Sequence, residues 1–280
     1  MTVFRSIAQQ VEPQYVREGA GVLLRRSIAL PILDHVDPFL LFDDFRAANP
    51  ADVLPGFPMH PHRGIETVTY MLAGNVAHRD SIGNAGIVGA GAVQWMTSGR
   101  GILHEEMPQP VAGRLDGFQL WVNLPAALKM SPARYQELRA DEIPEVALPG
   151  GARARIIAGE VAGVRGPVTE IAVQPTYLDI TLPPGSVVTL PTPTTHNVLV
   201  YLFEGDINLG GQVLNATQML VLGAGDAVEI HAGAQVARLL FISGQPLHEP
   251  IARYGPFVMN TREEIQQTLR ELRAGTFPPV

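Results

Sequence analysis

The sequence predicts an all-β protein made of two similar barrels with one C-terminal helix, and three observations support this prediction. The 280 residues include 28 Gly and 24 Pro, scattered singly, as they are where turns join many short strands. Hydrophobic residues make up 46% of the chain, which suffices for a buried interior and excludes a disordered chain. The length exceeds what one average core supports, and the two halves of the sequence resemble each other.

Short apolar and β-branched segments predict the strands of the first half. We expect residues 37–45 to form a buried strand, because this segment is too short for a helix and too apolar for an exposed loop. The other predicted strands lie at 21–28, 68–72, 76–80, 86–88, 92–96 and 117–123. This spacing is typical of a barrel or a sandwich.

The composition shifts to Pro, Lys, Arg and Glu between Leu124 and Gly151. We place the domain boundary in this stretch and predict domains at 1–130 and 131–280. In the second domain we expect a helix at about 261–274, with a capping box at its start and an apolar stripe at helical spacing. The strands predicted before this helix lie at 154–157, 169–173, 176–182 and 187–190.

Two internal alignments indicate a duplication: residues 66–74 align with 197–205, and residues 89–93 with 223–228. If the first alignment is extended without gaps toward the N-terminus, Pro191 and Pro193 align with His60 and His62. We therefore expect the second copy to keep the scaffold and to lack these histidines. His196 and His231 have no partner at a spacing of two, and we interpret both as structural or surface residues.

Two pairs of polar residues at a spacing of two form the candidate functional site. Successive side chains of a strand alternate between its faces, so His60 and His62 point the same way, as do His104 and Glu106 if their segment is extended. Two such strands in one barrel would make a shell of three nitrogens and one oxygen. This shell suits Fe(II), Mn, Co, Ni, Cu or Zn, and a six-coordinate ion would keep two positions for a chelating substrate.

Residues beside the candidate ligands have two interpretations. Arg63 and Glu66 could pair with each other, or they could orient the imidazoles from behind the ligands. Phe57, Met59 and Trp95 are most simply core residues or the wall of a pocket.

The charge and the cysteine content exclude several classes of protein. Lys and Arg total 20 against 27 Asp and Glu, a formal charge of −7, which disfavours direct nucleic-acid binding. The absence of cysteine excludes disulfides, thiolate metal sites and cysteine nucleophiles. No segment has the length of a signal peptide core or of a membrane helix. We expect a soluble, cytoplasmic monomer.

Four motifs resemble those of the pirin family in the cupin superfamily. They are residues 37–43, residues 60–68, residues 94–104 with 106–108, and residues 254–261. The resemblance implies a bicupin, with two cupin β-barrels in one chain and metal in the N-terminal barrel alone. It also implies that His60, His62, His104 and Glu106 are the metal ligands and that the metal is Fe2+.

The resemblance leads to two hypotheses from different classes. The first is an enzyme similar to quercetin 2,3-dioxygenase, in which a flavonol-like substrate binds through its 3-hydroxyl and 4-carbonyl, loses a proton to Glu106 as catalytic base or to solvent, and reacts with O2. The second is a non-enzymatic regulatory protein that binds a partner protein, with iron oxidation changing its surface. A metal in a pocket serves either function.

Overall fold

The computed structural model describes residues 1–46 and 49–278, and most of their regular structure is β-strand. The strands of the first half are β1 Ile7–Val11, β2 Gln14–Glu18, β3 Val22–Ile28, β4 Phe39–Asp44, β5 Phe57–His62, β6 Ile65–Ala73, β7 Asn75–Asp80, β8 Ala85–Val88, β9 Val93–Thr97, β10 Ile102–Gln109, β11 Asp116–Asn123, β12 Arg134–Leu138 and β13 Glu145–Ala147. Those of the second half are β14 Arg153–Ala158, β15 Glu160–Val161, β16 Val164–Arg165, β17 Thr176–Leu182, β18 Val187–Pro191, β19 Asn197–Glu204, β20 Asp206–Leu209, β21 Gln212–Asn215, β22 Gln218–Leu222, β23 Ala227–Ala232, β24 Ala237–Gly244, β25 Ala252–Tyr254 and β26 Phe257–Met259. One α-helix, α1, runs from Arg262 to Arg273, and short 3-10 turns lie at Pro50–Asp52, Ala126–Leu128, Ala140–Glu142 and Pro149–Gly151.

The chain forms two compact units whose segments interleave. The N-terminal barrel comprises residues 15–35, 39–140 and 247–280, and the C-terminal barrel comprises residues 1–14, 36–38 and 141–246. The first strand of the chain therefore belongs to the C-terminal barrel, and the last helix belongs to the N-terminal one. The predicted division into domains at 1–130 and 131–280 stays a prediction.

Each barrel consists of one larger and one smaller sheet, which confirms the all-β prediction. Among the described residues, the N-terminal barrel has a seven-stranded sheet in the order β12-β9-β6-β11-β4-β3-β2 and a four-stranded sheet in the order β5-β10-β7-β8. The C-terminal barrel repeats this arrangement, with β1-β22-β19-β24-β17-β14-β13 and β18-β23-β20-β21. Strand β6 is buried from Ile65 to Met71, as its apolar, β-branched sequence predicts.

The sheet orders test the two internal alignments. The alignment of 66–74 with 197–205 is confirmed, because β6 and β19 occupy the same place in their sheets. The alignment of 89–93 with 223–228 is wrong, because it sets the start of β9 against β23, whereas β9 corresponds in sheet order to β22. Short turns of Gly and Ala recur before many strands, so this similarity reflects turn chemistry rather than common position.

The smaller sheet of the C-terminal barrel presents aliphatic side chains to the core. Val188 and Leu190 of β18, and Val228 and Ile230 of β23, are at most 3% exposed and belong to one large apolar cluster. His196 is buried, with Nδ1 3.4 Å from the Ser243 hydroxyl. These side chains form the apolar core of the C-terminal barrel.

Helix α1 confirms the helix predicted at about 261–274. Thr261 caps its start, its hydroxyl accepting from the Glu264 amide while the Glu264 carboxylate accepts from the Thr261 amide. Ile265 packs with Phe257, Met259 and Phe277 in an apolar cluster of the N-terminal barrel. The helix is therefore docked on the unit that contains the candidate site.

One predicted strand is wrong: residues 169–173 form no strand. Ile171 and Val173 are buried, but Glu170 and Gln174 have positive φ and the Gln174 amide donates to the Ile171 carbonyl, so this segment is a turn. Burial alone made the segment resemble a strand. Separately, no helix within residues 1–46 and 49–278 has the length and apolarity needed to cross a membrane.

Candidate metal centre

The strands that hold the two polar pairs are neighbours in the smaller sheet of the N-terminal barrel. Strands β5 and β10 pair antiparallel, with His104 opposite His60. Both segments are extended, as predicted, so each pair of side chains shares a face. The pairing of β10 with β5 changes register between His104 and Glu106, so Glu106 lies opposite Phe57 rather than opposite the residue that a regular ladder would place there.

Three imidazoles converge at this point of the sheet. The ring centroids of His60, His62 and His104 lie 4.5–5.0 Å apart. One candidate ligand nitrogen from each ring lies within 4.8 Å of the other two. Nε2 of His60 is 3.0 Å from Nε2 of His62. The structure thus brings together the three histidines that the sequence selected.

A main-chain contact fixes the tautomer of His60. Its Nδ1 lies 3.0 Å from the Pro58 carbonyl oxygen, which only accepts, so Nδ1 carries the hydrogen of the neutral ring. Nε2 then has a free lone pair that faces His62. A backbone hydrogen bond that orients an imidazole in this way is the usual arrangement behind a histidine metal ligand.

Burial keeps the three imidazoles neutral at neutral pH. Desolvation, together with the neighbouring His104, lowers the pKa of His60, and the same effects lower the pKa of His62 well below its ordinary value. Burial lowers the pKa of His104 to about 4, with a smaller contribution from His78. Neutral imidazole is the form that binds a metal.

The unsatisfied polar atoms of the cluster fit a metal ion. Neither ring nitrogen of His104 has a hydrogen-bond partner among the described residues, although both are buried. Buried polar atoms are otherwise nearly always paired. Two nitrogens bound to one ion at about 2.1 Å and at right angles lie about 3 Å apart, which matches the separation of the His60 and His62 nitrogens. The donor set and its spacing therefore suit a divalent metal.

Glu106, the fourth predicted ligand, lines the same cavity as His60 and His62, but it is not part of the group of three side chains whose ligand atoms lie within 4.8 Å of one another. Its carboxylate is within 3.0 Å of the Thr69 hydroxyl, which also contacts the Gln119 amide at 2.6 Å. The contact with Gln119 is to its side-chain oxygen Oε1, so the Thr69 hydroxyl faces two acceptors and its single hydrogen is shared between Glu106 and Gln119. Burial raises the pKa of Glu106, while the proximity of His60 and the Thr69 hydrogen bond oppose this rise.

Arg63 and Glu66 follow neither of the two interpretations of the sequence. They do not pair with each other, and neither side chain contacts the imidazoles. Arg63 is 1% exposed and forms an ion pair with Glu271 of α1 at 2.6 Å. Glu66 accepts from the Trp95 indole and the Thr97 hydroxyl inside the larger sheet. Both residues are thus structural, and each partner lies too far along the chain for spacing to reveal it.

Sequence reasoning missed His78, which lies opposite Glu106 on β7. It is 5% exposed, its Nε2 is 2.7 Å from a Glu137 oxygen, and its ring stacks on Tyr135. His78 and Asp80 have the same spacing of two as His104 and Glu106, so a search for this pattern would have found them. Directly opposed residues of antiparallel strands share a face, so His78 lies on the same face of the sheet as Glu106, although it does not line the cavity.

A cavity of about 500 Å³ opens onto two of the three imidazoles, those of His60 and His62. His60, His62 and Glu106 line one part of it, and apolar side chains line most of the remainder: Val22, Leu24, Leu41, Phe45, Val53, Phe57, Val76 and Leu115. Charged residues Glu18, Arg26, Asp43 and Arg253 also contribute to its wall. A cavity of this size and polarity suits a small aromatic molecule.

Comparisons with known proteins agree with this architecture. The Pirin family model matches residues 21–122, and the model of the Pirin C-terminal cupin domain matches residues 177–278. A protein of Pseudomonas aeruginosa, provisionally named a quercetin 2,3-dioxygenase, is 44% identical and covers 98% of this chain and 99% of its own. Human Pirin is 42% identical over 91% of this chain and 88% of its own.

A solved structure shows the same fold along nearly the whole chain. Quercetin 2,3-dioxygenase from Acinetobacter baumannii superposes with a TM-score of 0.88 and 35% identity, covering 98% of both chains. The two family matches, the relatives above 40% identity and this superposition lead to one conclusion. The chain belongs to the pirin family, with two cupin domains.

Proposed function

We propose that this protein is a metal-dependent dioxygenase that cleaves flavonol-type compounds with O2. The observation that supports this proposal most is the convergence of three neutral imidazoles, of which those of His60 and His62 line one part of a mostly apolar cavity of about 500 Å³. The similarity to a structure named quercetin 2,3-dioxygenase supports the same reaction class.

In this proposal His60, His62, His104 and Glu106 hold the metal, which is Fe2+. Three neutral imidazoles and one carboxylate leave a net positive charge on a divalent ion. When bound, the ion lowers the pKa of a coordinated hydroxyl and stabilises the enolate that results. Mn2+, Co2+, Ni2+, Cu2+ and Zn2+ suit the same donors, so the preference for iron is tested by metal analysis.

Glu106 has the environment of a proton acceptor. Burial raises the pKa of its carboxyl, which brings it closer to the pKa that suits a general base at neutral pH. The hydrogen bond from Thr69 holds one carboxylate oxygen in place. Coordination to a metal weakens a carboxylate as a base, so the proton of the substrate hydroxyl passes to Glu106 when its second oxygen is free, and to solvent otherwise.

The apolar wall binds the rings of the substrate and excludes water. Leu41 and Phe57 flank the cavity beside the imidazoles, and burying an aromatic ring against such side chains supplies most of the binding free energy. The reaction then balances as flavonol plus O2 giving the ring-opened ester and carbon monoxide. Both atoms of O2 end in these products, so no external reductant is needed.

The test combines metal analysis with an aerobic assay that follows the loss of quercetin absorbance. We expect about one metal ion per chain and turnover that disappears in His62→Ala, because His62 is 2% exposed and has no substitute ligand. His231→Ala is the matched control, since His231 lies on the exposed face of β23 and contacts Glu229. Metal-loaded protein without turnover would contradict the proposal. If its binding to a partner protein then followed iron oxidation, the regulatory hypothesis would replace it.

A further inference from the structure

Two arginines line the cavity, and they differ in how their charges are balanced. Nε and Nη2 of Arg26 each lie 2.8 Å from an oxygen of Asp43, and Nη1 lies 2.7 Å from Glu18. All three nitrogens of Arg26 are therefore occupied by carboxylates. A planar guanidinium paired in this way offers little to a ligand.

Arg253 has no such partner. It donates from Nη1 to the Leu40 carbonyl at 3.2 Å and from Nε to the Gly255 carbonyl at 3.4 Å. Among the described residues, no carboxylate forms an ion pair with it, and Nη2 has no hydrogen-bond partner. Asp34, Asp43 and Glu18 act on Arg253 only at longer range. The oxygens of Asp43 and Glu18 are already bound to Arg26, and Asp34 contacts His35.

The position of Arg253 relative to the imidazoles is fixed by Trp121. The guanidinium lies over the indole at 5.2 Å from the ring centroid. The same indole meets the His62 ring edge to face, with centroids 5.2 Å apart. Arg253 is thus within about 10 Å of the His62 ring, which is close to the length of a two- or three-ring aromatic molecule.

We propose that Arg253 makes the cavity selective for planar aromatic chelators that carry an anionic substituent, such as a carboxylate. One end of the ligand occupies the metal centre, the apolar wall covers its rings, and its anionic group accepts hydrogen bonds from the free nitrogen of Arg253. This inference rests on the proposed function and specifies the substrate class for the same cavity. Arg253 lies at the exposed rim, so the gain from one charge-assisted contact is moderate, about fivefold in affinity.

The test measures ligand binding instead of turnover. The full-length protein is loaded with Zn2+, which has no redox chemistry, and is titrated in the absence of O2 with 3-hydroxyflavone, its 4′-carboxylate and its 6-carboxylate. The two acids place the charge at opposite ends of the molecule. The readout is the ratio of the dissociation constant of the neutral flavone to that of each acid.

We expect at least one acid to bind the wild-type protein about fivefold more tightly than the neutral flavone. Arg253→Gln should bring this ratio close to one, and Arg253→Lys should restore part of it, because a lysine keeps the charge without the planar fork. Arg165→Gln, an exposed arginine of the C-terminal barrel, should keep the wild-type ratio. The preference should weaken in high salt.

Three results would overturn the inference: equal affinity for all three ligands in the wild-type protein, a preference that persists in Arg253→Gln, or no binding of any of the three. The proposed function fails separately. A protein that prefers an acid but consumes no flavonol keeps this inference and loses the dioxygenase activity. A protein that consumes quercetin but binds all three ligands equally well keeps the dioxygenase activity and loses this inference.

Discussion

The buried side chain of Arg63 connects the end of β5 to the C-terminal helix, and its removal should destabilise the N-terminal barrel strongly. Its Nη2 lies 2.6 Å from Glu271, its Nη1 donates to the Thr268 hydroxyl at 2.8 Å, and its Nε donates to the Arg100 carbonyl at 2.6 Å. The guanidinium also stacks on Phe277 at 4.8 Å. We consider the substitution Arg63→Met, which keeps the apolar stem and removes the charge.

The magnitude follows from the groups left behind. Breaking a buried ion pair by removing one partner costs about 3–5 kcal/mol. The Glu271 side chain is 18% exposed, so water can partly solvate it, which moves the expected loss to the lower half of this range. The Arg100 carbonyl and the Thr268 hydroxyl lose their charged donor as well. We expect the free energy of unfolding to fall by about 3 kcal/mol.

The assay is urea unfolding, with hydrogen exchange of the α1 amides as a local readout. Glu271→Gln is the matched control, because it removes the same charge pair but keeps an acceptor, and we expect it to cost about 1 kcal/mol. In Arg63→Met the amides of α1 should exchange faster than those of the C-terminal barrel. A loss below about 1 kcal/mol, or unchanged exchange in α1, would refute the reasoning.

Three further predictions concern the site and its surroundings. Thr69→Val removes the hydrogen bond that holds the carboxylate of Glu106 and should weaken metal binding about tenfold in competition with a chelator; unchanged affinity would contradict this role. In metal-free protein, NMR should show that His104 titrates near pH 4. As the pH falls, the unfolded chain binds this proton at a higher pH than the folded protein does. The contribution of His104 to the free energy of unfolding is therefore present above pH 6.5 and falls by about 2 kcal/mol between pH 7 and pH 5. A titration midpoint of His104 near pH 6.5 would disprove this prediction. Gly64 has a φ of 79°, and an added Cβ would collide with the Val258 carbonyl, so Gly64→Ala should cost more than 2 kcal/mol in thermal unfolding, beyond the roughly 1 kcal/mol of backbone strain. Gly163→Ala, with a φ of 76° and open space around it, is the control that isolates that strain.

The imidazole cluster could be predicted from the sequence because it depends on local geometry. The alternation of side chains along a strand decides that His60 and His62 share a face, whatever the remainder of the chain does. The pairing of β5 with β10 then needed only one further assumption, that both strands belong to one sheet. The break in register before Glu106 has no such local signal, and neither does the turn at residues 169–173.

The contacts that complete the site come from distant parts of the chain and could not be predicted. Arg63 and Glu271 are 208 residues apart, and no spacing rule selects Glu271 over other acidic residues. Arg253 lies in a short hairpin strand whose position at the cavity depends on the return of the chain to the N-terminal barrel. Such pairings follow from the topology of the two barrels rather than from any segment of sequence.

The two barrels show how one arrangement of sheets supports two different interiors. In the C-terminal barrel the smaller sheet is covered by Val, Leu and Ile side chains, so burial of apolar area stabilises the barrel directly. In the N-terminal barrel the same sheet carries His60, His62 and His104 beside a cavity, and each buried imidazole lowers stability unless its nitrogens find a partner. In our proposal a bound metal supplies that partner and stabilises the folded state by mass action. The interior that is weaker as a core is therefore the one to which we assign ligand binding.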